Sequence, residues 1–126
     1  MEIIMNNSKL ILIVEDSPDI QESMKMVLEL ENYSVSLAGT GNEALNLLKA
    51  YHNFSLILLD ITLADMKAFE FLEKLDIAGF LEKTPIVLCS GDSDLKHMEL
   101  PRGVVGILAK PFDIEVFLSV VKTFAK

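Results

Sequence analysis

Five short apolar runs punctuate the chain: Leu10–Val14, Val35–Ala38, Leu56–Leu59, Ile86–Cys89 and Val104–Ala109. Several are continuous rather than alternating, the pattern of parallel strands covered on both faces. Helical periodicity fills the gaps. Ser17 before Pro18 reads as an N-cap and first helical residue, and Ile20, Met24, Val27 and Leu28 then recur at helical spacing. Asn32 is placed to stop that helix. Thr40-Gly41-Asn42-Glu43 fits a capping box ahead of Ala44, Leu45 and Leu48. Phe69, Leu72 and Leu75 mark a third helix. Asp113 caps a last one, with an apolar stripe of Phe117, Val120, Val121 and Phe124. The stretch from Asp92 to Arg102 has weak periodicity and contains Pro101. A proline inside a helix costs about 3 kcal/mol, so a single turn or irregular segment is expected there.

Strand and helix therefore alternate five times, with the fourth helix shortened or irregular. Such alternation predicts an α/β fold, a parallel sheet with helices on both faces. Functional groups in these sheets collect beyond the carboxyl ends of the strands. Here the ends carry Glu15-Asp16, Asp60, Ser90 and Lys110-Pro111. Singly, each reads equally well as a turn or helix-start residue. Together they bring three carboxylates, a hydroxyl and an ammonium to one edge. Two like charges about 4 Å apart repel by about 4 kcal/mol at an effective dielectric of 20. Gathered acids therefore need protons or a cation. Oxygen-only ligands favour Mg²⁺, which commonly pairs carboxylates with waters and phosphate oxygens. Mg²⁺ held by Glu15 and Asp16 would neutralise an incoming phosphoryl group, with Asp60 as carboxylate nucleophile. Ser90 and Lys110 would each meet a phosphoryl oxygen.

The formal charge of −8 in 126 residues changes this picture in one way, by arguing against direct nucleic-acid binding, which needs a basic face. A hydrophobic share of 51% is ample for one core, and the length suits one domain. The single cysteine, Cys89, makes no internal disulfide or zinc cluster and lies in an apolar strand, so it reads as a small core residue in an intracellular protein. No apolar run approaches the roughly 20 residues of a membrane span. Residues 1–8 lack signal-peptide features and read as a loose lead-in to a domain over 9–126. His52 and His97 have no second ligand type spaced around them and are assigned no metal. Asp65 and Asp92 read as solvated turn residues. Alternatively, Thr62 and Asp92 orient or repel an attacking water. Arg102 is assigned nothing.

At these same residues the sequence resembles the receiver domain of two-component response regulators, the CheY-like family. The matching segments are Ile11-Leu12-Ile13-Val14-Glu15-Asp16, Leu56-Ile57-Leu58-Leu59-Asp60, Pro85-Ile86-Val87-Leu88-Cys89-Ser90-Gly91 and Lys110-Pro111-Phe112-Asp113. The resemblance implies a flavodoxin-like, doubly wound five-stranded sheet in the order 2-1-3-4-5. It implies a cytoplasmic phosphoacceptor, not a turnover enzyme, taking phosphate from a histidine kinase or histidine phosphotransfer protein. Asp60 would be the acceptor, and Glu15 and Asp16 the acidic metal pair. The Thr62 carbonyl would complete the Mg²⁺ ligands. Ser90 would be the switch hydroxyl, and Lys110 the phosphate-pairing lysine before a cis peptide.

Three features depart from the family pattern. After the acceptor the chain reads Leu63-Ala64-Asp65-Met66-Lys67-Ala68, an altered loop. Ile107 stands where the family has Tyr or Phe. The stretch from Ser90 to Lys110 is slightly short, remodelling a face that commonly serves partner binding or homodimerisation. Ile107 and the altered Ala64–Ala68 loop motivate an alternative, a degenerate receiver-fold binding module that does not switch. An aspartate-nucleophile phosphatase is disfavoured because Thr62 stands where that class needs a second acid. A flavin module is disfavoured because two acids follow strand one. The chain accommodates one receiver, so the output is expected in another protein or in further chain.

Overall fold

The computed structural model describes residues 9–51, 53–91 and 99–126. Strands and helices alternate through β1 (Leu10–Val14), α1 (Pro18–Leu30), β2 (Ser34–Ala38), α2 (Gly41–Ala50), β3 (Phe54–Asp60), α3 (Ala68–Ile77) and β4 (Ile86–Ser90). They close with β5 (Val104–Ala109) and α4 (Ile114–Phe124). The strands form one all-parallel sheet in the order β2-β1-β3-β4-β5. This is the architecture that the apolar runs and the family resemblance imply.

The continuous apolar runs have a direct cause. Successive strand side chains point to opposite faces, and both faces are covered. Leu12, Val14, Ile57, Leu59, Ile86 and Leu88 pack with Ala44, Leu48, Phe71 and Leu75 of α2 and α3. Ile11, Ile13, Leu56, Leu58, Val87 and Cys89 pack with Met24, Leu28, Phe117 and Val121 of α1 and α4. The sheet thus separates two cores, and its carboxyl edge is where each strand leaves both of them.

The helix starts follow the expected chemistry, with one change. Ser17 accepts from Ile20 N–H, Thr40 from Glu43 N–H and Asp113 from Val116 N–H. The return bond of the capping box, from Glu43, reaches Gly39 N–H at 2.8 Å rather than Thr40. Asn32 follows α1 with φ of 69°, a left-handed conformation that asparagine tolerates better than most residues. In α3 the buried stripe is Ala68, Phe71, Leu72 and Leu75, while Phe69 is exposed. Phe71, not Phe69, is the core aromatic because it falls in phase with Leu72 and Leu75.

Strands β2, β3 and β4 extend beyond their apolar runs to include Ser34, then Phe54, Ser55 and Asp60, and then Ser90. Ladder hydrogen bonds use backbone, so polar side chains end a hydrophobic pattern without ending a strand. Residues 99–103 form no helix. The rest of the expected irregular segment lies outside the described residues, as do the lead-in, His52, His97 and Asp92. Arg102 does have a role: its guanidinium bridges Asp76 and Glu82, each at 2.6 Å, joining the approach to β5 to the end of α3.

The first turn of α2 packs closely against the loop after β3. A Cβ on Gly41 would lie 2.6 Å from the sulfur of buried Met66. Gly41→Ala should therefore cost about 1–3 kcal/mol by displacing Met66. That cost should shrink in a Met66→Ala background, and a double-mutant cycle by urea denaturation measures the coupling.

Candidate functional site

The parallel register brings the polar strand ends to one edge. Val14 of β1 pairs with Leu59, Asp60 with Cys89, and Ser90 with Ala109. The next residue after each outer partner is Glu15 and Lys110. Glu15 extends the ladder by donating its N–H to Ala38 O, and Lys110 donates its own to Ser90 O at 2.7 Å. Glu15, Asp60 and Lys110 continue the parity of Ile13, Leu58 and Leu108, which belong to the core beneath α1 and α4. One carboxylate oxygen each from Glu15, Asp16 and Asp60 lies within 4.8 Å of the others. Glu15 and Asp60 are buried and Asp16 is exposed, so the cluster opens outward through Asp16.

Lys110 threads into this cluster. Its Nζ is 2.7 Å from Glu15 Oε1 and 3.6 Å from Asp60 Oδ2. The lysine thus sits primarily on Glu15. The second Glu15 oxygen accepts Ser17 N–H at 3.1 Å. Asp60 Oδ1 is approached by Thr62 N–H at 3.4 Å, and Asp60 has no bond as short as those of Glu15 among the described contacts.

These partners split the two buried acids. For Glu15, burial pushes the pKa up, but the Lys110 hydrogen bond, the Ser17 N–H and the lysine charge outweigh it, and the net shift is downward. For Asp60, burial and then the Glu15 charge push the pKa up, and Lys110 and the Thr62 N–H only partly offset them. For Lys110, burial pulls the pKa down, but the Glu15 hydrogen bond and the two carboxylate charges hold it above its ordinary value. Burial also pushes the neighbouring Cys89 thiol up to about 12. That thiol stays protonated at neutral pH and is no nucleophile.

The donor set fits a hard divalent cation. All three side-chain ligand atoms are oxygens, and at 4.8 Å each like-charged pair repels by about 3.5 kcal/mol at an effective dielectric of 20. One lysine leaves this cluster two negative charges in excess. Carboxylate oxygens with an outward opening suit Mg²⁺ or a similar ion better than zinc.

Of the residues singled out by sequence, Glu15, Asp16, Asp60 and Lys110 converge. Ser90 ends β4 at the same edge and is buried. Thr62 is exposed and forms a two-residue antiparallel bridge with Lys67. Asp65 is an exposed turn residue, as expected, but it also has partners. Its two oxygens accept Gly41 N–H at 2.8 Å and Asn42 N–H at 3.0 Å, capping α2 from another loop. Burial acts against its ionisation, but those two N–H groups hold its pKa below the usual range. Gln21 is a further supporting residue, its side-chain amide donating to Glu15 O. Neither had a local sequence signal, because both contacts join separate elements. Beside the cluster, α1 and the segment after β5 enclose a largely apolar groove of about 620 Å³ that reaches Lys110 and Gly91.

The two opposed shifts predict opposite mutational effects. Asp60 has a folded-state pKa above its unfolded one, so its ionisation opposes folding. That penalty is full above the folded pKa and absent below the unfolded value of about 3.9. Asp60→Asn should therefore raise the denaturation midpoint at neutral pH without divalent ions, and the gain should vanish as pH falls below the unfolded value. Lys110→Met leaves Glu15 buried without its cation. It should cost about 2–4 kcal/mol at neutral pH, discounted from the loss for a fully buried pair because Lys110 is partly exposed. Urea titrations of the two variants across pH check both signs.

Comparison with known proteins agrees with this geometry. Residues 11–122 match the family model described as the response regulator receiver domain. The cell cycle response regulator CtrA of Brucella ovis is 34% identical over 104 residues, covering 81% of this chain and 44% of CtrA. The chain therefore spans under half the length of that curated relative. Among solved structures, the chemotaxis response regulator CheY4 of Vibrio cholerae superposes with a TM-score of 0.84 at 26% identity, covering 94% of this chain and 99% of that one. The response regulator TrrA of Thermotoga maritima, solved in complex with Mg²⁺-BeF, gives 0.79 at 26% identity, covering 92% and 98%. The receiver domain of the hybrid histidine kinase CckA gives 0.75 at 26% identity, covering 93% and 99%. With the sheet order and the acidic strand ends already in place, the match over 11–122 establishes that this chain belongs to the response regulator receiver domain family.

Proposed function

We propose that this chain is the phosphoacceptor of a two-component phosphorelay, receiving a phosphoryl group on Asp60. The observation that carries the proposal is the convergence of Glu15, Asp16 and Asp60 with Lys110 in ion-pair reach of Asp60. The donor is a histidine kinase or histidine phosphotransfer protein. Glu15, Asp16, Asp60 and the Thr62 carbonyl would hold Mg²⁺. When bound, the ion neutralises charge on the phosphoryl oxygens.

An oxygen of Asp60 attacks phosphorus, and the P–N bond to the donor imidazole breaks with its electron pair going to nitrogen. With the donor ring protonated on its other nitrogen, the products are an acyl phosphate on Asp60 and a neutral imidazole. Asp60 is suited to this role because, among the described residues, its contacts at 3.4 and 3.6 Å are longer than those that engage both oxygens of Glu15. Lys110, on Glu15 before transfer, can turn toward a phosphoryl oxygen after it. Ser90 is the hydroxyl that would meet another. Such a redistribution of charge is the switch that a receiver offers.

Two of the three acids are buried and only Asp16 is exposed, so a donor protein would meet the cluster across the surface beside it. The groove beside Lys110, lined by Ile20, Met24, Val27, Phe112 and Ile114, would seat the donor's histidine-bearing helix. Ile107 favours a second reading, the non-switching binding module. It packs partly buried against the α2 and α3 core, so no aromatic ring is available there to rotate.

Incubation with acetyl phosphate and Mg²⁺ should add one phosphoryl group by intact-mass spectrometry, and Asp60→Asn should remove the label. A folded wild-type chain that never labels would favour the binding module instead. Ile114 lines the groove, is exposed, and is the first residue of α4, where an acidic residue suits the helix dipole. Ile114→Asp should therefore slow transfer from a phosphorylated donor protein by about tenfold, one buried apolar anchor's worth. Labelling by acetyl phosphate should stay unchanged.

A further inference from the structure

The loop between β3 and α3 carries Thr62 and is one of the segments that depart from the family pattern. Its base is closed by Ala68 N–H to Ile61 O at 3.0 Å and by the Thr62–Lys67 bridge. Its tip is held elsewhere. Leu63 and Met66 are buried, Met66 lies against Gly41, and Asp65 spans the N–H groups of Gly41 and Asn42. The first turn of a helix leaves its N–H groups without intrahelical partners. In α2 three of these have partners outside the helix ladder: Gly41 and Asn42 donate to Asp65, and Glu43 donates to the Thr40 hydroxyl, while Ala44 N–H to Thr40 O is the first bond of the ladder itself. Two of these three thus depend on the acceptor loop.

The same turn also supports the other half of the cluster. Glu43 holds Gly39 N–H, and the adjacent Ala38 O accepts the N–H of Glu15. The start of α2 therefore touches both the segment bearing Glu15 and Asp16 and the loop bearing Thr62. Resting on the phosphoacceptor reading above, we propose that Asp65 is a positioning residue for the metal site. By bridging Gly41 and Asn42 it keeps the Thr62 loop in register with the Glu15–Asp16 segment. A carboxylate suits the task because it accepts two N–H bonds at once and carries charge favoured at a helix N-terminus.

The experiment is a Mg²⁺ titration followed by amide NMR on the wild type, Asp65→Ala, Asp65→Asn and Thr40→Ala. Thr40→Ala removes the other cap of the same turn without touching the acceptor loop. Asp65→Ala should weaken Mg²⁺ binding by about tenfold, as losses of groups supporting metal ligands commonly do. At saturating Mg²⁺ its labelling rate with acetyl phosphate should return to near wild type. Asp65→Asn keeps one acceptor and should fall between, which also covers the case in which the alanine variant does not fold. Thr40→Ala should leave Mg²⁺ affinity within about twofold of wild type while lowering stability, as cap removal does. Unchanged affinity in both Asp65 variants would overturn the proposal, as would an equal loss in Thr40→Ala. Failure of the wild type to bind Mg²⁺ or to label at Asp60 would instead strike the phosphoacceptor reading.

Discussion

Crowding of like charge at the carboxyl edge of the sheet is the constraint around which this domain is arranged. Three carboxylate oxygens lie within 4.8 Å of one another, two of them on buried side chains. Lys110 counters part of that repulsion by sitting on Glu15. The asymmetry matters chemically. Glu15 is settled by two partners and stays ionised, while Asp60 retains most of the strain of burial and of its neighbour's charge. A group held in that condition gains from any cation or phosphoryl chemistry that relieves it, and pKa values pushed apart in one cleft are a mark of functional sites.

The rest of the fold keeps those groups where repulsion would otherwise separate them. Two apolar cores clamp the sheet from either side, and the strands carrying Glu15 and Asp60 are adjacent at its centre. Buried strands are stiff, so the charged residues at their ends cannot drift apart cheaply. The loops beyond them need other supports. Ser17 N–H and Gln21 of α1 steady Glu15, and the first turn of α2 receives Asp65. The site is thus braced by two helix starts on opposite faces of the sheet.

Local chemistry was legible wherever a residue acts within its own element. The caps Ser17, Thr40 and Asp113 and the five apolar runs follow from spacing alone. The acids at the strand ends were legible because a parallel sheet leaves its carboxyl ends on one edge whatever the side chains are. Phe71 was missed in favour of Phe69, since a short apolar run admits two helical phases and only packing selects one. Arg102 and Asp65 were missed for a different reason. Each acts on partners distant in sequence, Asp76 with Glu82 and Gly41 with Asn42.

The alternation of elements, the two-sided burial of the strands and the types of functional group at the strand ends are legible in the residues alone. These are consequences of periodicity and of parallel topology. Only the tertiary contacts settle which acid Lys110 pairs with, which carboxylate has the longer contacts among the described residues, and what holds the acceptor loop. Those outcomes turn on distances of about an ångström between groups far apart in the chain, such as 2.7 Å to Glu15 against 3.6 Å to Asp60. Hydrogen-bond and charge energies change steeply over such a difference, whereas hydrophobic burial, which sets the fold, is non-directional and hardly responds to it.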